Sequence, residues 1–285
     1  MKKSQTIFLA GTVLLATVSC QVDSSSDLRD ALTFYSSFDN GTSADFALGD
    51  KSIYSAPSRR SLDSLQAGIS ITDHEILKAR GKVGDAFKFG SRSDKVVFYK
   101  SKDNISYDVQ NWSGTISFWL SLDPATDLEP GYTDPIQITD VRYNDASIWV
   151  DFTNKNPRDF RLGVIGDLNV WSLDTLESSS DAEFERRLVR VKNPPFTKNG
   201  WTHVLITYQA LGTSQSSSTL FLNGEKIGSV EGIDDPFTWD LEKSNIYIGL
   251  GFIGLMDELA IFNKPLTDEQ VLEVYQLEGG IKSIL

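Results

Sequence analysis

The stretch from Gly251 to Tyr275, GFIGLMDELAIFNKPLTDEQVLEVY, decides how the chain is read. Between Leu255 and Phe262 an apolar run is interrupted by two adjacent carboxylates, Asp257 and Glu258. Acidic side chains seldom go inside unpaired. These two are therefore catalytic groups, metal ligands or the solvent side of a strand. Successive side chains of a strand point to opposite faces, which separates them and removes them as an acid–base pair on one sugar. Glu258 then reads as solvent-facing or paired with backbone. Beyond the strand, Thr267 can cap a helix and Gln270, three residues on, closes a capping box. Val271, Val274 and Tyr275 give that helix one apolar face.

Working back from this point, the chain keeps a period of two. In GTISFWLSLD, Ile116, Phe118, Leu120 and Leu122 alternate with Thr115, Ser117, Trp119 and Ser121, as in a half-buried antiparallel strand. GWTHVLITYQ sets Val204, Ile206 and Tyr208 against His203, Leu205 and Thr207. Asn223-Gly224 within STLFLNGEKIGSV supplies the positive φ angles of a type I′ hairpin turn. NIYIGLG and LMDELAIF add two more strands. Many strands and one late helix predict an all-β sandwich. Residues 49–80 and 172–198 are polar, with Ser and Pro scattered through them. They predict long excursions from the sandwich, where ligand contacts would fall.

The first twenty residues stand apart. Lys2 and Lys3 precede an apolar stretch from Ile7 to Val18 and then small residues, which reads as an export signal too short for a permanent span. Cys20, the only cysteine, ends it. That resembles a bacterial lipoprotein signal, with Ser19 in the small position and Thr17 where an aliphatic residue is usual. An ordinary secretory signal with a chance cysteine is the alternative. The expected plan is a signal over 1–20, a short polar tether over 21–30, a domain over 31–279 and a tail over 280–285. The expected location is the periplasm or cell surface, lipid-anchored. No disulfide framework is available to the mature chain.

Formal net charge is −12. A surface this acidic repels nucleic acid and disfavours polyanionic glycans unless a cation bridges them.

LTFYSSFDN, GKVGDAFKFG, WSGTISFWLSLDP, GWTHVLITY, STLFLNGEKIGSV and the closing YIGLGFIGLMDELAIFNKPLTDEQVLEVY follow one another in order. Together they resemble the concanavalin A-like lectin/glucanase superfamily in its bacterial laminin G-like, pentraxin-related form. Tethered proteins of planctomycete-type bacteria look similar, with a comparably acidic middle segment. The resemblance spans residues 31–277. It implies a two-sheet antiparallel jelly-roll sandwich, one sheet concave and one convex, with first and last strands adjacent. It also implies binding of glycans or protein surfaces, often with calcium. Fold alone does not fix function.

Sites must therefore be argued singly. Laminarinase-type members carry Glu-x-Asp-x-x-Glu on one strand, and no such run occurs here. Glu183 and Glu185 share a face if extended, but no third carboxylate follows them. The only histidines are His74 and His203. No catalytic constellation is visible, so the chain is not expected to be an enzyme. Neighbouring first and last strands would bring Asp39 to Asp257, an oxygen-only site for a structural calcium. The alternative is Asp39 in an Asx-type turn and Asp257 bonded to backbone. Asp123, Asp127, Glu129, Asp134 and Asp140 form an acidic loop that a second cation could use or that is simply solvated. Trp119, Trp149, Trp171 and Trp239 could stack on sugars, with core packing the alternative for each. Trp201 suits the sandwich, Trp119 covers the outer side of its sheet or lines the concave surface, and Trp171 and Trp239 are the better ligand candidates. The expected function is carbohydrate binding at the cell surface. Alternatives are a glycan hydrolase or lyase with a non-standard active site, or an adhesion protein that binds other surface proteins.

Overall fold

In the computed structural model, residues 24–172 and 182–285 are described. The expected signal over 1–20 and its Cys20 lie outside the described residues. Two antiparallel sheets pack face to face. The first runs Glu225–Glu231, Ser217–Leu222, Thr202–Leu211, Trp112–Ser121, Gly254–Phe262, Leu32–Ser36 and Phe46–Ala47, with Ala86–Phe89 also joined to Gly254–Phe262 and His74–Leu77 paired in turn with Ala86–Phe89. The second runs Leu188–Val191, Phe160–Ile165, Ser147–Phe152, Thr133–Thr139, Asn245–Leu250, Val96–Lys100, Tyr54–Ala56 and Gln66–Ala67. The first and last long strands pair, with Ser36 opposite Leu259 and Tyr35 opposite Ala260.

The period of two set this architecture. Ile116, Phe118 and Leu120 enter the core between the sheets. Trp119 stays on the outer side and stacks on Tyr275 of the closing helix, with ring centres 5.6 Å apart. Asn223 and Gly224 have φ of 52° and 80°, so the hairpin turns as its dipeptide dictates. The helix covers Asp268–Gln276 with both capping-box bonds formed.

Four features depart from the expectations. Asp257 and Glu258 do not alternate. Met256 and Leu259 both enter the core, and the register slips between Asp257 and Ala260. Glu258 takes φ of 54°, so a bulge inserts one residue and turns both carboxylates away from the core. Glu258 is also not solvent-facing, being only 2% exposed. Residues 49–80 are not a plain excursion: Tyr54–Ala56, Gln66–Ala67 and His74–Leu77 are strands too short to show a period. Within 172–198, Leu188–Val191 is an edge strand. Finally, the polar tether is largely the helix Ser24–Ala31. Its Leu28 and Ala31 pack with Ile281 of the tail and with Val271 and Val274. Asp27 accepts from Gln270 Nε2 at 2.6 Å.

These helices cover the outer face of the first sheet. Pieces of the two polar segments cover the outer face of the second sheet, Arg59 over Tyr247 and Phe184 beside Trp149, and Phe98, Tyr247 and Trp149 are buried beneath.

Candidate functional site

One row of side chains crosses the outer face of the second sheet. Tyr54 pairs with Phe98, Phe98 with Tyr247, Tyr247 with Gln137, Gln137 with Trp149 and Trp149 with Gly163. Every second residue of these strands faces the core, so these positions share the other face. Gly163 is required at its place: a Cβ there would lie 2.2 Å from the Trp149 ring. Trp149 lies flat over that glycine and donates Nε1–H to the Tyr143 carbonyl at 2.7 Å.

Beside this row sits a buried ion pair. Arg161 donates Nε–H to Asp151 Oδ1 at 2.8 Å and an Nη2–H to Oδ2 at 2.5 Å, and both side chains are about 5% exposed or less. The Arg161 guanidinium also lies over the rings of Tyr132, at 5.0 Å, and Trp149, at 5.4 Å. A bulge in the neighbouring strand, between the pairs Val150–Ile136 and Phe152–Thr133, brings Asp134 near Asp151. Burial and then the charge of Asp151 push Asp134 up to about 8, against the pull of Arg59, Arg161 and Arg92. Burial thus favours the neutral form of Asp134. Gln137 Nε2 lies 2.9 Å from Asp134 Oδ2, while Gln137 Oε1 is buried with no partner among the described residues. Turning that amide over offers its oxygen to the proton of Asp134.

The rim of this face is aromatic and cationic. Tyr132 is 42% and Tyr143 46% exposed, at the two ends of the central strand. Arg59 stands over Tyr247 at 5.1 Å. Sequence reasoning missed the site because Asp134 was counted only within an acidic loop and Trp149, one of four tryptophans that could stack on sugars, was passed over for Trp171 and Trp239. The signal was there in part: Gln137, Trp149, Asp151 and Arg161 are polar or amphipathic residues inside otherwise apolar runs.

The tryptophans chosen from sequence are placed otherwise. Trp239 is 8% exposed in the core, stacked on Tyr107 at 4.9 Å and set edge-on to Trp112. Both faces and the indole N–H, bonded to the Ala146 carbonyl, are committed to packing, so it is a loop anchor and not a sugar platform. Trp171 is half-buried, with the Arg187 guanidinium over its ring at 5.1 Å and Nε1–H on the Asn144 carbonyl. It borders the second-sheet face without belonging to the row. Glu183 and Glu185 lie on a short helix and pair with Arg186 and Arg190.

Asp39 and Asp257 do meet one feature, the turn between His74–Leu77 and Ala86–Phe89. Asp39 Oδ1 accepts Asp85 N–H at 2.8 Å and Asp257 Oδ2 accepts Val83 N–H at 3.0 Å, while Asp257 Oδ1 accepts Glu258 N–H at 2.8 Å. Backbone donors hold both oxygens of Asp257 and one of Asp39, Lys282 faces the other at 3.8 Å, and no three acidic, His or Cys side chains converge on a metal position among the described residues. This donor set does not fit calcium. Burial, chiefly, pushes Asp257 up to about 8 and Glu258 to about 7. Glu258 accepts from the Tyr35 hydroxyl at 2.6 Å and from Ile281 N–H at 2.7 Å. Adding EDTA is accordingly expected to leave the melting temperature unchanged. A fall of more than about 3 °C, on the order of 1 kcal/mol for a domain this size, would place a structural calcium in the protein.

His203, fully buried, shares a 2.8 Å hydrogen bond with Ser117 and packs beside the rings of both Trp119 and Tyr275. Burial pushes it down to about 3, so it is a neutral packing residue.

No curated protein matches the sequence. Among solved structures, domain 4 of AbnA, a GH43 extracellular arabinanase from Geobacillus stearothermophilus in complex with arabinotriose, is similar at TM-score 0.53 and 18% identity, over 86% of this chain and 98% of that one. The binding domain of botulinum neurotoxin DC in complex with SialylT is similar at TM-score 0.57 and 15% identity, over 92% of this chain and 52% of that one. The same neurotoxin domain with rat synaptotagmin II gives TM-score 0.54 and 15% identity, over 90% of this chain and 52% of that one. This chain thus spans about half of the neurotoxin domain. At these identities the likeness is one of fold. The family description that fits the sequence itself covers residues 93–272, and by it the chain belongs to the concanavalin A-like lectin/glucanases superfamily.

Proposed function

We propose that the protein binds carbohydrate on the outer face of the second sheet. The observation that carries this reading is the pair of exposed rings, Tyr132 and Tyr143, at the rim of a cross-strand row whose own rings, Phe98, Tyr247 and Trp149, are a buried floor at most 1% exposed. Flat apolar rings suit the C–H faces of sugars, and a few fixed polar groups supply orientation. The arabinotriose and SialylT complexes of the similar structures support a glycan partner. The synaptotagmin complex supports the alternative of a surface protein.

The role is binding rather than turnover. Glycoside hydrolysis needs two carboxyl groups, one of them free as base or nucleophile. Asp151 has both oxygens held by Arg161, which leaves Asp134 without a free partner in that pair. Export, with a lipid on Cys20, would bring this face to glycans outside the cytoplasm. Metabolic labelling with a fatty acid tests that part, and a Cys20→Ala chain that still takes label refutes it.

A glycan array is the direct test. Wild type is expected to bind at least one glycan class. Tyr132→Ala and Tyr143→Ala are each expected to weaken it about ten-fold, in line with 1–1.5 kcal/mol for an aromatic contact. Binding unaffected by both substitutions would move the site elsewhere. Reducing sugar or unsaturated product released from a bound glycan would make the protein an enzyme.

A further inference from the structure

We infer that the ligand of the second-sheet face is an anionic sugar, one bearing a carboxylate or a sulfate, with Arg59 and Arg92 as its charge receptors. This rests on the reading that the face binds glycan. The aromatic row is overlain by cations: Lys100 lies 5.2 Å from the Phe98 ring centre and 5.9 Å from Tyr54, Arg59 lies 5.1 Å from Tyr247, and Arg161 lies over Trp149. What these rings present outward is therefore charged N–H, not bare carbon. A neutral sugar gains little from such a surface, whereas an anionic one gains charge-assisted hydrogen bonds.

Only Arg161 among these cations is neutralised by a carboxylate. Arg59, Arg92 and Lys100 form no ion pair within 4.0 Å among the described residues. Arg59 donates one Nη2–H to the Val141 carbonyl at 2.8 Å, and Arg92 one Nη1–H to the Tyr132 carbonyl at 3.3 Å. Backbone carbonyls thus aim both guanidiniums, and each keeps donors in the planar fork that matches carboxylate and sulfate oxygens. Asp134, on which both act, forms no ion pair with either within 4.0 Å, and burial favours its neutral form.

The overall charge of −12 pointed away from polyanionic ligands. Local arrangement overrides it, because charges beyond about 8 Å are largely screened at physiological salt.

The test is titration calorimetry of the folded domain with paired probes that differ only in charge. Oligogalacturonate is set against its methyl ester, and chondroitin sulfate oligosaccharides against desulfated, carboxyl-esterified ones. At least one acidic probe is expected to bind ten-fold or more tightly than its neutral counterpart, and the pair that responds tells carboxylate from sulfate. Arg59→Gln and Arg92→Gln are each expected to weaken that probe ten-fold or more, and Kd is expected to rise with sodium chloride. Arg92 is exposed, so its variant keeps the test alive if Arg59→Gln does not fold. The wild-type probe pairs need no variant at all. Neutral probes bound as tightly as acidic ones, or acidic binding that survives both substitutions, overturn the inference. Neutral glycans bound and then lost in Tyr132→Ala would leave the binding face standing while removing its anionic selectivity. No binding to any glycan, charged or neutral, removes both.

Discussion

Arg161→Ala is expected to lower the folding free energy by about 3–5 kcal/mol at pH 7, the usual result of breaking a buried ion pair from one side. The carboxylate left behind, Asp151, is 4% exposed, and the hydrogen bonds that replace its water come from the guanidinium. Without it Asp151 must stay charged in a poor solvent or take a proton. The second route costs less as pH falls, so the loss should be smaller at pH 5 than at pH 8. Replacing both partners, Asp151→Leu with Arg161→Met, is expected to recover most of the stability, since paired desolvation consumes much of what a buried pair gains. Denaturant titration of the three variants checks this. A loss under 1 kcal/mol for Arg161→Ala would mean the pair is open to water.

The second large effect is a fall in stability as pH rises from about 5 to 9. Asp257 and Glu258 are raised to about 8 and about 7, by burial first; the Glu258 charge adds to the shift of Asp257, and those of Asp39 and Asp45 to that of Glu258. A carboxyl group whose folded value exceeds its unfolded one binds more protons when folded. Its stabilisation is complete below the unfolded value near 4 and is lost as pH climbs through the folded value. Asp27 and Asp85 act oppositely. Their hydrogen bonds, first to Lys264 and Lys78 respectively, hold them low, and their contribution disappears only in acid. The optimum should therefore lie near pH 5–6. By pH 9 the melting temperature is expected to fall by about 10 °C or more, on the order of 5 kcal/mol for two such groups at about 1.4 kcal/mol per pH unit up to each folded value. Glu258→Gln should flatten the slope. Its carbonyl still accepts Ile281 N–H, and its amide donates to the Tyr35 hydroxyl, which accepts as readily as it donates. A melting temperature that is flat or rising from pH 6 to 9 would show that these carboxyls are not buried as described.

The bulge at Glu258 explains both the pH behaviour and the failure of the strand rule at that point. Alternation assigns Asp257 and Glu258 to opposite faces only while the register is regular. One inserted residue put both outside the core. One carboxylate then pins the 81–85 turn and the other pins the C-terminal tail. Nothing in MDEL announces a bulge, because φ of 54° at a glutamate is imposed by its long-range partners, Tyr35 and Ile281, and not by local preference. The helix Ser24–Ala31 was illegible for a similar reason. SSSDLRDA has low intrinsic helicity and only two apolar residues, and it is held by a tertiary cleft made from residues some 240 positions away.

By itself the sequence determined the sandwich, the Asn223-Gly224 hairpin and the capped closing helix, because each is written in contacts or dihedral preferences a few residues apart. It also held every residue of the proposed binding face. Only the tertiary structure could choose among them. Tyr54, Phe98, Gln137, Trp149 and Tyr247 lie on five strands and form a row by cross-strand register. Which tryptophan is buried and which arginine lacks a carboxylate likewise depends on distances between segments far apart in the chain. Net charge, a sum over the whole molecule, carries no information about where its cations gather.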